Sequence, residues 1–260
     1  MTELVAAPAH RQRMSRARPL LALAKAETRL FLRDPVTTLL GILLPAAVLA
    51  GLGAVPALRE PAEVFGGLRF TEYFAPSLLA ISIAVLGVQN LPTGLATYRE
   101  KGILRRMSAT PVSPFAVLVV QLLLNLVTVA LGTVLMVAVA VGVFGVTAPR
   151  HPLGFALAFL CGTGAVFAIG LLIAAVAPRA KVATGIGTVV FMVTQFFAGV
   201  YLPKFLLPDV IVRIGDFVPP GIGAFQGAWT GDGADPVQLA VMALIAVVAT
   251  GTAARFFRWE

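Results

Sequence analysis

The stretch that decides the fold is residues 116–146, which read AVLVVQLLLNLVTVALGTVLMVAVAVGVFGV and contain no charged side chain. A helix needs about 20 mostly apolar residues to cross the hydrocarbon of a bilayer, and this stretch exceeds that length. The preceding residues 107–115 are also uncharged, but Thr110-Pro111 and Ser113-Pro114 favour turns there. We therefore predict one long membrane-spanning helix over 116–146.

Uncharged runs of similar character lie on both sides of this stretch. They predict an all-α integral membrane protein with six transmembrane helices, at about 36–57, 74–97, 116–146, 154–177, 182–203 and 236–254. Of the 260 residues, 58% are apolar and only 12% are charged, whereas soluble domains carry roughly 25% charged residues. A water-soluble globular fold is therefore excluded. Residues 217–231 are apolar but short and interrupted by Pro219-Pro220, which predicts a re-entrant or interfacial outer segment before the last helix.

The chain before the first span divides into two regions. Residues 1–17 are rich in Ala, Pro and Arg and predict a disordered cytoplasmic tail. The transmembrane domain is predicted over 18–260, and its residues 18–33 form an amphipathic interfacial helix, because basic and apolar side chains gather on opposite faces. The basic face suits anionic lipid headgroups and includes Lys25, Arg29 and Arg33.

Glu27 lies on the apolar face of the same helix. It has two interpretations: a carboxylate that reaches out to water, or a partner for an arginine of the first cytoplasmic loop.

The distribution of basic residues indicates the orientation of the chain. If both termini are cytoplasmic, 15 of the 20 Lys and Arg residues lie on the inner side, as the positive-inside rule requires. We therefore expect a multi-pass protein of the cell membrane with N- and C-termini in the cytoplasm. A nucleic-acid partner is not expected, because the sequence has no soluble basic module with aromatic or helical readers.

Patterns for catalysis and metal binding do not occur in the sequence. There is no Walker A motif. The single cysteine, Cys161, and the two histidines are not spaced like the ligands of a metal site. We expect neither enzyme activity nor a cofactor on this chain. The runs Gly162-Thr163-Gly164 and Gly185-Ile186-Gly187 are interpreted as helix-packing positions. The predicted spans contain no Asp, Glu, Lys, Arg or His, so uphill transport would need a soluble motor rather than a coupling ion.

The first predicted cytoplasmic loop, residues 98–114, reads YREKGILRRMSATPVSP. It resembles the signature loop of ABC-2 type permeases, the membrane subunits of ABC exporters, although Ile103 stands where threonine is commoner. The matching positions are Glu100, Gly102, Leu104, Thr110 and Pro111. Three further segments resemble the family. LRDP at 32–35 resembles the start of its first span, FAGVYLP at 197–203 the exit of its fifth helix, and ARFFRWE at 254–260 its C-terminal ending. The resemblance covers residues 20–260 and is closest to drug exporters of the daunorubicin-resistance type.

The resemblance implies that two permeases, identical or paralogous, stand above two ABC ATPase subunits that bind ATP and Mg. A coupling segment would contact the ATPase, with its charges facing that partner and Ile103 and Leu104 packing into a cleft. This segment comprises Arg99, Glu100, Lys101, Gly102, Ile103, Leu104, Arg105 and Arg106. Its basic residues also satisfy the topology rule without any partner.

In such permeases the second and fifth spans line the substrate path. Candidate path residues, with one from the third span, are Gln89, Asn90, Asn125, Thr194, Gln195 and Phe196. Gln121, Asn125 and Thr128 share one helix face, which suits hydrogen bonds between helices or a path lining. The expected function is export of a hydrophobic or amphipathic drug, antibiotic or lipid-like compound. The alternatives are an ATP-independent channel, facilitator or scaffold, and a polysaccharide-exporting ABC permease.

Overall fold

A computed structural model describes residues 17–33, 35–103, 106, 114–202 and 204–256. These ranges are helical apart from their connecting segments and contain no β-strand. The predicted all-α architecture is therefore confirmed for the described part of the chain. The predicted tail, residues 1–17, lies outside it except for Ala17.

Long helices make up most of the described ranges, and short helices lie in several of the connections between them. In chain order the α-helices are α1 Ala17–Leu32, α2 Pro35–Gly53, α3 Phe70–Ala84, α4 Leu91–Glu100, α5 Pro114–Phe144, α6 Pro152–Val176, α7 Ala180–Phe197, α8 Asp209–Gly215, α9 Ile222–Trp229 and α10 Pro236–Phe256. A π-helical segment, Val85–Asn90, joins α3 to α4. Three single 3-10 turns lie at Pro56–Leu58, Glu63–Phe65 and Lys204–Leu206.

Five helices in the described ranges are long and apolar enough to cross a membrane. They are Phe70–Glu100, Phe115–Phe144, Pro152–Val176, Ala180–Phe197 and Pro236–Phe256. The chain is thus a multi-pass membrane protein. In α2 the described apolar part, Gly41–Gly53, is shorter than a span, so the count of six transmembrane helices stays a prediction. The helix α1 forms, but its position on a membrane surface also stays a prediction.

The predicted fifth span, 182–203, ends earlier in the structure, at Phe197. The amide of Ala198 donates to Thr194 O at 2.9 Å, and the amide of Val200 donates to Gln195 O at 3.1 Å. Gly199 has a φ of 72°, the left-handed conformation that commonly ends a helix. Hydropathy alone did not reveal this stop, because the residues beyond it remain apolar.

Helix packing centres on α6, which contacts α10 along its length and also contacts the π-helical segment and α9, while α2 packs on α5. Helix ends therefore gather at two levels. We call one of them the basic end, because it carries the exposed side chains Lys25, Arg29, Lys101, Arg106, Arg179, Lys181 and Arg255. The other is called the opposite end.

Residues 217–231 contain the short helix α9, which is docked at the opposite end. Within α9, Phe225 and Trp229 are buried and both meet the ring of Phe155 edge-on, at 5.7 and 5.5 Å. Trp229 Nε1 donates to Thr147 O at 2.9 Å. The segment is therefore part of the folded core, and its depth in a bilayer stays a prediction.

Apolar surface dominates the outside of the bundle. On α5 the exposed side chains Leu123, Val127, Leu131 and Val134 recur at helical spacing and form one continuous stripe. Polar side chains of the same helix, such as Asn125 and Thr128, are buried. This inside-out pattern fits a helix that meets lipid on one face and other helices on the other.

Candidate functional site

The last turn of α4 holds an arginine that closes the end of a neighbouring helix. Nη1 of Arg99 donates to the carbonyl oxygen of Ala174 at 3.3 Å, and Nη2 donates to that of Ala177. The last carbonyls of a helix lack partners within the helix and carry the negative end of its dipole. Arg99 therefore caps the C-terminus of α6.

The next residue, Glu100, contacts the start of the following helix. Its Oε1 accepts a hydrogen bond from the amide of Ala180 at 3.0 Å, the first residue of α7. The first amides of a helix lack partners and carry the positive end of the dipole. Adjacent residues of opposite charge thus bind opposite helix poles. We call Arg99 and Glu100, with Ala174, Ala177 and Ala180, the inter-loop clamp.

The clamp adds contacts within the chain to the coupling segment. The expectation that the charges of Arg99 and Glu100 face an ATPase stays a prediction, and in this chain both side chains also bind backbone of neighbouring helices. Lys101 and Arg106 are exposed at the basic end. Together with the exposed Glu100, they are charges of the coupling segment that a partner at that end can reach.

Lys101 and Gly102 form a turn after α4. Gly102 has a φ of 65°, and its amide donates to Arg99 O at 2.9 Å. Ile103 is half-buried, while Leu104 and Arg105 lie outside the described residues. The contact of Ile103 and Leu104 with an ATPase cleft stays a prediction.

Sequence reasoning missed the clamp because it considered only partner contact for Glu100, and partner contact or topology for Arg99. The available signal was an Arg-Glu pair at a predicted helix end, together with the short gap between the predicted spans 154–177 and 182–203. In the structure the connection between α6 and α7 is residues 177–179. So short a connection holds a helix C-terminus and a helix N-terminus side by side. A neighbouring pair of opposite charges can then reach both.

A cavity of about 170 Å³ lies near the basic end, between α1, α4 and α5. Its polar lining consists of Glu27, Asn90, Tyr98, Gln121 and Asn125. We call it the inner cavity. It brings together side chains that are distant in sequence. One of them is Asn90, the last residue of the π-helical segment.

Hydrogen bonds connect most of these polar groups. Tyr98 Oη donates to Glu27 Oε2 at 3.0 Å, and the Gln121 side chain also bonds to Tyr98. Asn125 Nδ2 donates to Gln121 O at 2.8 Å, while Asn90 Nδ2 lies 3.5 Å from Asn125 Oδ1. The wall of the cavity is therefore an ordered polar network across three helices.

The surroundings of Glu27 correct its first interpretation. Its side chain is only 7% exposed, so it does not reach out to water. Within the described residues its hydrogen-bond partner is Tyr98, the residue directly before Arg99, and not an arginine. The other α1 residues singled out from the sequence, Lys25, Arg29 and Arg33, are exposed.

The candidate path residues divide into two groups. Asn90 and Asn125 line the inner cavity. Thr194 and Gln195 are buried. Gln195 Nε2 lies 3.5 Å from Ala80 O of α3, and Thr194 Oγ1 donates to Phe191 O within α7 at 2.9 Å. Their place on a substrate path stays a prediction.

The last two candidates, Gln89 and Phe196, are half-buried. On the polar face of α5, Asn125 contributes both to the bond with Asn90 and to the cavity wall. Thr128 Oγ1 donates to Leu124 O at 2.8 Å within its own helix.

Glycines hold the π-helical segment between two helices. A Cβ added at Gly170 of α6 would overlap the carbonyl oxygen of Gly87, and one at Gly187 of α7 would overlap that of Val88. A Cβ at Gly162 would likewise overlap Pro220 O. These glycines allow close backbone approach, whereas Gly185 faces open space.

A second cavity of about 480 Å³ lies at the opposite end. Its wall includes the aromatic side chains Phe65, Tyr73 and Phe205 and the carboxylates Glu72 and Asp209. Glu72 Oε1 is held by the amide and hydroxyl of Thr147, each at 3.3 Å. Within the described ranges no group of three His, Cys, Asp or Glu side chains could hold a metal ion.

Comparison with known proteins relates this arrangement to one family. The family model described as ABC-2 type transporter matches residues 18–220. A search of curated proteins finds no match.

Proposed function

The chain belongs to the ABC-2 type transporter family, and on that premise we propose that it is the permease subunit of an ABC exporter for a hydrophobic or amphipathic substrate. A separate ABC ATPase, which binds ATP and Mg, would drive it from the basic end. That end would lie in the cytoplasm, in keeping with the positive-inside rule. The substrate would leave the cytoplasm or the inner leaflet.

The inter-loop clamp is the observation that carries the proposal. An ATPase that pushes on the exposed Lys101 and Arg106 acts at the end of α4. Because Arg99 and Glu100 bind the facing ends of α6 and α7, α4 cannot shift without moving these two helices as well. The binding energy of the ATPase at the basic end would thereby shift the equilibrium between two conformations of the whole permease.

Contacts deeper in the bundle continue this connection. The hydroxyls of Thr93 on α4 and Thr184 on α7 lie 3.0 Å apart. The glycine contacts at Gly170 and Gly187 lock the π-helical segment to α6 and α7. The unit formed by α4, α6 and α7 is therefore suited to move as one body.

The exposed face of α7 supports assembly with a second permease. It combines the apolar side chains Val189 and Val193 with Gly185, which faces open space. Small residues on an exposed helix face favour contact with another helix over contact with lipid. We propose that α7 contributes to the interface between two permeases.

Co-reconstitution in vesicles with a partner ABC ATPase tests the proposal. Uptake of a lipophilic fluorescent compound into inside-out vesicles should require hydrolysable ATP. The variants Arg99→Ala and Glu100→Ala should keep ATP hydrolysis but lower uptake by about tenfold or more, since coupling energies of 1–3 kcal/mol change populations on that scale.

The matched control is Arg213→Ala, which removes an exposed basic side chain at the opposite end and should leave uptake unchanged. Uptake that persists without nucleotide would indicate a channel or facilitator. Full uptake by both clamp variants would remove the clamp from the mechanism.

A further inference from the structure

The inner cavity buries a carboxylate whose described partner is neutral. Glu27 is 7% exposed and accepts its hydrogen bond from the hydroxyl of Tyr98. Removing a negative charge from water is costly unless a cation or several hydrogen bonds compensate it. The basic side chains Lys25 and Arg29 of the same helix are exposed instead.

The rest of the wall defines what else could bind beside Glu27. The amides of Asn90, Gln121 and Asn125 offer neutral donors and acceptors on one side of the cavity. The other side is apolar and consists of Leu30, Phe31, Leu91 and Leu124. A ligand that fits this wall has a positively charged head and an apolar body.

The volume of the cavity limits how much of a ligand enters it. Sites that enclose a whole drug-sized molecule measure roughly 300–1,000 Å³, and this cavity measures about 170 Å³. It therefore has room for an amine and the first few carbons attached to it. The remainder would extend out of the cavity past Leu30, which lines it and is exposed on its outer side.

We propose that the inner cavity binds the protonated amine head of an amphiphilic molecule, with Glu27 as its counter-charge and the amides of Asn90, Gln121 and Asn125 as orienting groups. The proposal rests on the proposed function, since it names the substrate class recognised at the basic end. It also explains why a carboxylate lies on the buried face of a helix whose exposed face is basic. An anionic head would be repelled by Glu27 at this position.

The ammonium could come from a free amphiphile or from the headgroup of phosphatidylethanolamine. Binding to the purified permease in nanodiscs, without any ATPase, separates this proposal from the proposed function. The probe is a fluorescent lipophilic amine, and its N-acetylated neutral counterpart is the matched ligand. The discs contain phosphatidylcholine and phosphatidylglycerol in one arm and added phosphatidylethanolamine in the other.

Glu27→Gln keeps the size of the side chain and should weaken binding of the amine by about tenfold, the effect expected for loss of one charge-assisted contact. Binding of the acetylated probe should stay unchanged. Glu27→Asp keeps the charge and should retain the preference for the amine, while Glu60→Gln, an exposed carboxylate at the opposite end, should bind like the parent.

Competition by phosphatidylethanolamine would support a lipid headgroup as the occupant, and its absence would support a free amphiphile. Equal affinity of the parent for the amine and its acetylated form would overturn the proposal. So would an unchanged preference in a folded Glu27→Gln variant. Neither result bears on whether ATP drives transport, which the vesicle experiment decides.

Discussion

Among single residues, Gly102 has the clearest conformational requirement at the basic end. Its φ of 65° lies in the left-handed region, and a Cβ added there would meet open space. Glycine is therefore favoured at position 102 by the backbone conformation, and not by a lack of space for a side chain. This turn ends α4 directly after Arg99 and Glu100, so its geometry sets where the inter-loop clamp points.

Replacing Gly102 therefore tests the conformation of the turn. Gly102→Ala should lower the unfolding free energy by about 1 kcal/mol, because a Cβ disfavours left-handed backbone, whereas Gly102→Asn should cost less since Asn tolerates that region. Thermal unfolding in detergent measures both. Gly51→Ala is the control, because Gly51 is helical and also faces open space. Equal losses for Ala and Asn at position 102 would contradict the argument.

Among the elements, the π-helical segment distinguishes the span Phe70–Glu100 from a regular helix. π-helical turns occur mostly as single bulges and frequently at functional sites. Here the segment ends at Asn90, which faces the inner cavity, and its Gly87 and Val88 carbonyls lie against glycines of α6 and α7. One irregular segment thus connects the cavity with the helices that the clamp holds.

Two glycines of α6 provide a matched test of this contact. Gly170→Ala should destabilise the protein by about 1–3 kcal/mol, the usual cost of overpacking, because its methyl group would overlap Gly87 O. In Gly164→Ala the new Cβ would lie 3.8 Å from Ala246 Cβ, an ordinary contact, and stability should hold or rise. Thermal unfolding compares the two, and similar midpoints would mean that the contact with the π-helical segment is not tight.

For the whole molecule, the proposed assembly through α7 has a direct test. In a Cys161→Ala background, Gly185→Cys should give cross-linked permease dimers in native membranes with a short bifunctional thiol reagent. Leu244→Cys, which places a thiol on the exposed face of α10, should give far less. Gel electrophoresis under non-reducing conditions reads the result. Equal cross-linking at both positions would argue against α7 as the interface.

The candidate site could be predicted only in part. The sequence indicated that residues near 99–106 matter and that Glu27 is unusual, because a charge pattern and a helical face are visible in a short window. It did not indicate that Arg99 and Glu100 bind backbone of α6 and α7, or that Thr194 and Gln195 are buried between helices. Those facts depend on which helices are neighbours.

The sequence by itself determined that this is a helical, multi-pass membrane protein of the ABC-2 type family, because span length, hydropathy and loop motifs are properties of contiguous residues. Only the tertiary structure decided the partners of the charged groups. Glu27 and Tyr98 are 71 positions apart, and Glu100 and Ala180 are 80 apart. Such pairs form when packed helices bring their ends together, and no local pattern records which ends will meet.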